Sequence, residues 1–290
     1  MPALGMKPYD QLPVADGRRQ IDEGAAALFG EPDPVESVED RVADRVPVRI
    51  YRPAGSGPGV LVYFHGGGWV VGSLESHDRL CRTLAARSGV AVVAVDYRLA
   101  PEHRYPAAVE DAWAATRWAA AHFEPVVVGG DSAGGHLAAV VALRARDRGL
   151  PLALQVLLYP VTDHACDTPS YREHASGTNL TAVTMRWFWQ QFLAHGEQGA
   201  EPEASPLRAS DLTGVAPALV VTAEHDPLRD EGEAYAQRLV DAGVPTTLTR
   251  YEGQIHGFIR MPAVLDAAGR GIDQVADAVH AAVHATAPVR

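Results

Sequence analysis

Val126-Val127-Val128-Gly129-Gly130-Asp131-Ser132-Ala133-Gly134-Gly135, followed at once by His136-Leu137-Ala138-Ala139-Val140-Val141, is the stretch whose reading decides the fold of this chain. Three β-branched residues in a row read as a buried strand, and the alanine-rich continuation reads as a helix. Between them lies Gly130-x-Ser132-x-Gly134, the spacing of a nucleophile elbow, in which a serine sits on a tight strand-to-helix turn. Small residues are required two before and two after the serine because the strand and helix backbones nearly touch there. The turn lifts the hydroxyl clear of the sheet and aims the partly positive start of the next helix at it. A serine that merely caps a glycine-rich loop is the plainer alternative.

The same rhythm extends in both directions. Residues 60–64 (VLVYF) and 90–95 are continuous apolar runs, expected as strands buried on both faces. Residues 46–52 alternate, as a strand with one wet face does. Helices are expected over about 18–28, 76–88, 107–123, 133–148, 231–242 and 263–285, with Gly89 as one stop signal. Strands are expected over 152–159, 218–222 and 246–251, the last polar enough for a sheet edge. Alternating strands and helices predict an α/β fold with a mostly parallel central sheet flanked by helices. Ligands in such sheets gather at the carboxyl ends of the strands. Residues 66–68, Ser132, residues 224–226 and His256 all fall just past a strand. The rhythm breaks over 163–205, too long for a plain loop, and an aromatic helical piece over 184–195 suggests a lid. The expected organisation is 1–45 as an N-terminal cap segment, 46–162 as core, 163–205 as a cap insertion and 206–290 as core again.

Composition narrows the function. Twenty-five basic and 36 acidic side chains give a formal net charge of −11, which argues against a nucleic-acid or anionic-membrane surface. Cys81 and Cys166 offer neither a metal spacing nor a disulfide framework. The first ten residues lack the basic start and apolar core of a signal peptide, and no apolar run approaches membrane-spanning length. The expectation is a cytoplasmic protein without stable membrane association, metal or cofactor.

A serine hydroxyl is a poor nucleophile until a base takes its proton, and the base needs an acid to hold its tautomer. Asp226, in Ala223-Glu224-His225-Asp226-Pro227-Leu228, and His256, in Gln254-Ile255-His256-Gly257-Phe258, are the candidates. Glu224 is a rival acid. The order Ser132, Asp226, His256 is that of α/β hydrolases. A tetrahedral intermediate also needs donors for its oxygen. His65-Gly66-Gly67-Gly68 follows a buried strand, where glycines let backbone N–H groups turn toward the site, alongside Ala133 N–H from the elbow.

These motifs make the chain resemble the hormone-sensitive-lipase-like family of bacterial carboxylesterases, of α/β-hydrolase fold, over about residues 46–262. The resemblance rests on residues 65–72, 96–102, 130–135, 226–231 and 256–258. It implies catalytic Ser132, Asp226 and His256, and an oxyanion hole built from Gly67, Gly68 and Ala133. It also implies a helical cap formed from the N-terminal segment and an insertion. The chain departs from the family pattern at His136, where relatives often carry asparagine, and at Glu224-His225. The implied function is a serine carboxylesterase acting on short- to medium-chain esters through an acyl-enzyme, with a small-molecule ester as partner and a possible homodimer. An amidase or acyltransferase with the same triad, and a non-catalytic receptor on the same fold, are the alternatives. Retention of His256 argues against the receptor.

Around this centre, Trp69, Phe188 and Trp189 are candidates for substrate contact, against a plainer role in the cap core. Asp131 is expected to make a structural hydrogen bond in the elbow. Asp96, Arg98 and Glu102 are expected to form a buried ion-pair knot bracing the glycine loop, and His65 to orient its backbone. Most remaining histidines, His77 among them, are expected at the surface.

Overall fold

The computed structural model describes residues 6–285; the first five residues of the expected cap segment and the last five of the expected core lie outside it. One eight-stranded sheet organises the molecule. Its strands are β1 (Ser37–Ala43), β2 (Val46–Arg52), β3 (Val60–Phe64), β4 (Ala91–Val95), β5 (Val126–Asp131), β6 (Leu154–Leu158), β7 (Ala218–His225) and β8 (Thr246–Ile255), in the order β1-β2-β4-β3-β5-β6-β7-β8. β1, β2 and β4 pair antiparallel, and every pairing from β4 to β8 is parallel. The mostly parallel sheet is as the sequence predicts, and the polar strand β8 lies at an edge.

β3 shows why a continuous apolar run was needed. Val60, Val62 and Phe64 face one core and Leu61 and Tyr63 the other. The first core is covered by α3 (Ala107–Ala120), α4 (Ala133–Asp147) and α7 (Arg229–Asp241), the second by α2 (Leu74–Ser88) and α8 (Asp266–His284). Side chains alternate along a strand, so a sheet covered on both faces demands apolar residues at every position. α2 is bounded as its sequence suggests: Ser73 accepts from the Ser76 amide at its start, and Gly89 closes it in the left-handed conformation.

Two differences from expectation concern the N-terminal segment. The helix there, α1 (Val14–Phe29), is longer than the expected 18–28. The expected boundary after residue 45 does not hold, because β1 adds to the sheet edge through full pairing with β2. All but one residue of β1 are at least partly exposed, so it carries no hydrophobic alternation that a sequence reading could detect. The 163–205 insertion folds as a short helix α5 (Pro169–Glu173) and α6 (Ala182–Phe192), set above the carboxyl ends of the central strands.

Candidate active site

The elbow forms at the end of β5. Ser132 has φ 57° and ψ −118°, a conformation L-residues rarely adopt, and α4 begins at Ala133. Strand and helix cross so closely that a Cβ on Gly134 would lie 1.9 Å from the Phe64 carbonyl oxygen. The strained serine is held by its N–H donating to Leu158 O at 2.8 Å.

His256 follows β8 and Asp226 follows β7, both strands of the parallel half, so their loops converge on the elbow. Asp226 Oδ2 lies 2.7 Å from His256 Nδ1, and His256 Nε2 lies 3.0 Å from Ser132 Oγ. A carboxylate only accepts, so Nδ1 carries the proton and the Nε2 lone pair faces the serine hydroxyl. Asp226 is fully buried, and its second oxygen accepts the Leu228 N–H at 2.9 Å. Asn179, in the insertion, donates to the His256 carbonyl at 3.0 Å. Glu224 is elsewhere: its carboxylate accepts the Gly253 N–H at 2.6 Å.

The glycine turn lies beside the elbow. Gly67 has φ 126°, and a Cβ there would meet the Val71 carbonyl oxygen at 2.1 Å, so only glycine fits. His65 Nδ1 lies 2.9 Å from the Gly66 carbonyl, a donor–acceptor pair that fixes the Gly66–Gly67 peptide. A trans peptide carries C=O and N–H on opposite sides, so the Gly67 N–H is turned away from His65. Burial pulls His65 down to about 3, leaving a neutral ring stacked on Tyr97 at 4.3 Å. Ala133 N–H, at the first turn of α4, has no partner within its helix.

Asp131 ties these pieces together. Its Oδ1 accepts the Gly66 N–H and the Tyr63 hydroxyl, each at 2.9 Å, and His77 Nε2 sits 3.2 Å away. Burial pushes this carboxyl up, but the His77 ring, the Arg260 charge and the Tyr63 hydroxyl outweigh it and hold it below the usual range. Burial also lowers His77, so the pair is read as a carboxylate receiving an N–H from a neutral imidazole. The structural hydrogen bond expected of Asp131 is present, and its partner His77 is buried, not at the surface. No pattern in the sequence marks His77, a lone histidine on an amphipathic helix.

Three further expectations are corrected. Asp96, Arg98 and Glu102 form no common knot: Arg98 pairs with Asp111 at 2.8 Å and Glu102 with Arg18 at 2.7 Å. The brace on the glycine loop comes instead from α1, whose Arg18 also donates to the carbonyls of Val70 and Ala100. Trp69 does not line the cavity: its left-handed φ of 61° goes with a fully buried ring, stacked on Phe192 at 4.2 Å. Its Nε1–H donates to His136 Nδ1 at 3.1 Å, and His136 Nε2 meets the Glu203 carbonyl, so the departure at His136 anchors the end of the insertion. Trp189 likewise packs into the core beside Trp69, 4.7 Å between rings. Phe188, one residue earlier and a third of a turn round α6, does reach the cavity, against Gly68.

That cavity has a volume of about 290 Å³ and contains Ser132, His256, Gly67 and Gly68 in its wall. The N-terminal segment (Tyr9, Ile21) and the insertion (Leu180, Phe188) roof it. Among the described residues no group of three or more His, Cys, Asp or Glu side chains is placed to hold a metal ion.

A serine on a strand-to-helix elbow, meeting a histidine held by a buried carboxylate, is the constellation of serine hydrolases. Residues 61–260 match the family described as alpha/beta hydrolase fold. The chain is 41% identical over 290 residues to the ethyl acetate hydrolase of Pseudomonas putida, covering 94% of this chain and 91% of that one. It is 44% identical over 255 residues to the carboxylic ester hydrolase LipN of Mycobacterium tuberculosis, covering 82% and 68%. Among solved structures, the hyperthermophilic esterase of Pyrobaculum calidifontis superposes with a TM-score of 0.89 at 43% identity, covering 94% of this chain and 95% of that one. The chain belongs to the hormone-sensitive-lipase-like family of α/β hydrolases. No helix among the described residues is long and apolar enough to cross a membrane.

Proposed function

We propose that this enzyme hydrolyses short- to medium-chain carboxylic esters through an acyl-enzyme on Ser132. The observation that carries the reading is the pair of contacts at His256, 2.7 Å to Asp226 and 3.0 Å to Ser132. His256 Nε2 takes the serine proton as Oγ attacks the acyl carbon, and the carbonyl electrons move onto its oxygen. The N–H groups of Gly67, Gly68 and Ala133 receive that oxyanion. When the intermediate collapses, the ester C–O bond breaks and His256 returns the proton to the leaving alcohol. Water then repeats the sequence on the acyl-enzyme, with His256 as base again. Asp226 holds the imidazole in the required tautomer and compensates its charge.

The relatives named for ester hydrolysis support the substrate class. The cavity volume lies at the lower limit of ordinary ligand pockets, which favours small esters. We read residues 6–29 and 163–205 together as the cap. Cytoplasmic location is supported by the composition and by two buried free thiols, Cys81 and Cys166. The exposed edge of β8 is a surface on which a homodimer would pair.

Ser132→Ala is expected to lose several decades of turnover on a butanoate ester while keeping its unfolding midpoint. An organophosphate should label the wild type once per chain, at Ser132. A label on another residue, or near-normal turnover in the folded variant, would overturn the assignment.

A further inference from the structure

The cavity over Ser132 holds a charge that hydrolysis of a simple ester leaves unused. Apart from His256, the charged or ionisable acid and base side chains in its wall are Lys7, Asp131 and Arg260, set among apolar residues such as Ile21, Leu28, Phe188 and Met261, with the Tyr9 phenol beside them. Asp131 is already committed to Tyr63, Gly66 and His77. Arg260 acts on Asp131 through space but has no hydrogen bond to it. It stands four residues after His256, is half-buried, and makes one long hydrogen bond, 3.3 Å to the Ser76 carbonyl. Among the described residues it forms no ion pair within 4 Å.

A guanidinium carries five N–H donors in a planar fork, so among the described residues most of its donors are without a protein acceptor. Asp22, near enough to act on the same groups as Arg260, is engaged by the Ser73 hydroxyl at 2.6 Å. Tyr9 shares the cavity wall, and Arg260 acts on its hydroxyl electrostatically. Burial raises Tyr9 above its ordinary range, against the opposing Arg260 charge and a hydrogen bond from the Gln20 side chain, so the phenol keeps its O–H to donate. A cation and a hydroxyl donor facing a largely apolar space lack the group that would complete them: an anion with two acceptor oxygens.

We propose that Arg260 and Tyr9 form an anion subsite in the substrate cavity, so that this enzyme takes carboxylic esters whose acyl or alcohol arm ends in a free carboxylate. The proposal rests on the esterase reading of Ser132 and adds a substrate class to it. The carboxylate accepts two N–H bonds from the Arg260 fork and one O–H bond from Tyr9, in a site where low polarity strengthens all three. The competing role for Arg260 is a brace on the Ser76 carbonyl, which predicts no preference for charge.

Two matched substrate pairs separate the arms. For the acyl arm, monoethyl adipate is compared with ethyl 6-oxoheptanoate, in which a methyl ketone replaces the carboxylate. For the alcohol arm, 4-acetoxybutanoate is compared with 5-acetoxy-2-pentanone. In wild type, kcat/KM for one of the two carboxylates should equal or exceed that of its neutral partner, despite the net charge of −11. In Arg260→Met that charged-to-neutral ratio should fall roughly tenfold or more, and Arg260→Lys should recover part of it. The ratio cancels general damage to the fold. If both carboxylates are poorer than their neutral partners in wild type, and Arg260→Met leaves both ratios unchanged, the subsite is refuted and the brace stands. If the neutral esters themselves are not turned over, it is the esterase reading that fails.

Discussion

Removing the Asp131 side chain tests whether the glycine turn is held from behind. Asp131→Ala leaves Tyr63 O–H, Gly66 N–H and His77 N–H facing the space where one carboxylate stood, all three in residues that are buried. Gly66 N–H keeps one fallback, since His77 Nε2 lies 3.3 Å away and accepts if the ring changes tautomer. In that tautomer Nδ1–H donates to Ser76 Oγ, so the Tyr63 hydroxyl alone is stranded, a gross loss of about 1–3 kcal/mol. Release of a buried charge offsets part of this, so we expect a net loss of about 1–2 kcal/mol, which a fold of ordinary stability survives. Held only by this longer bond, the turn shifts so that its amides miss the oxyanion, and kcat should drop about a hundredfold with KM nearly unchanged. Asp131→Asn is the control. It keeps one acceptor oxygen for Gly66 and Tyr63, and Ser76 Oγ, 2.9 Å from His77 Nδ1, allows either tautomer. Its cost should be about 1 kcal/mol and less than about tenfold in kcat. Urea unfolding and steady-state kinetics on a butanoate ester read both effects. An alanine variant as stable and as fast as the asparagine one, or one that is impaired only in KM, would refute the reasoning.

Three other outcomes are expected. Asp226→Asn should lower kcat by roughly 10⁴, whereas Glu224→Gln, remote from His256, should leave most activity; the reverse ranking in two equally folded variants would transfer the acid role. Activity should rise from acetate to butanoate or hexanoate esters and fall steeply by dodecanoate; Phe188→Ala should move that optimum to longer chains, while Trp189→Ala should reduce stability by about 3–5 kcal/mol without moving it. A shift of the optimum in Trp189→Ala alone would reverse this division of α6. Glu231 is fully buried, with Oε1 accepting the amides of Thr162 and Asp163, and burial pushes its carboxyl up to about 8. The unfolded chain ionises this group from pH 4.5 upward and the folded one does not. Stability is therefore fully present below 4.5 and declines toward pH 8, by up to about 1.4 kcal/mol per pH unit, relative to Glu231→Gln. Parallel unfolding free energies for the two proteins from pH 5 to 8 would exclude that.

The elbow was legible in the sequence because it is local: strand, turn and helix start lie within ten consecutive residues, and steric exclusion of Cβ leaves glycine as the visible trace at 130 and 134. The parallel sheet was legible for a similar reason, since burial on both faces writes unbroken apolar runs into β3, β4 and the start of β5. β1 left no such trace, because an exposed edge strand needs only backbone pairing, which any residue but proline supplies in full. What the tertiary structure alone decided were the choices between neighbours. Asp226 and Glu224 are two residues apart at the end of one strand, and only the path of the 253–256 segment determines that Asp226 meets His256 while Glu224 meets Gly253. Phe188 and Trp189 are adjacent, and a step of about 100° around α6 sends one ring into the cavity and the other into the core. His77, Gly66 and Asp131 come from a helix, a turn and a strand end, and Arg98 finds Asp111 in place of the nearer Asp96 and Glu102. Such partners are set by distance in space, and sequence spacing carries no record of it.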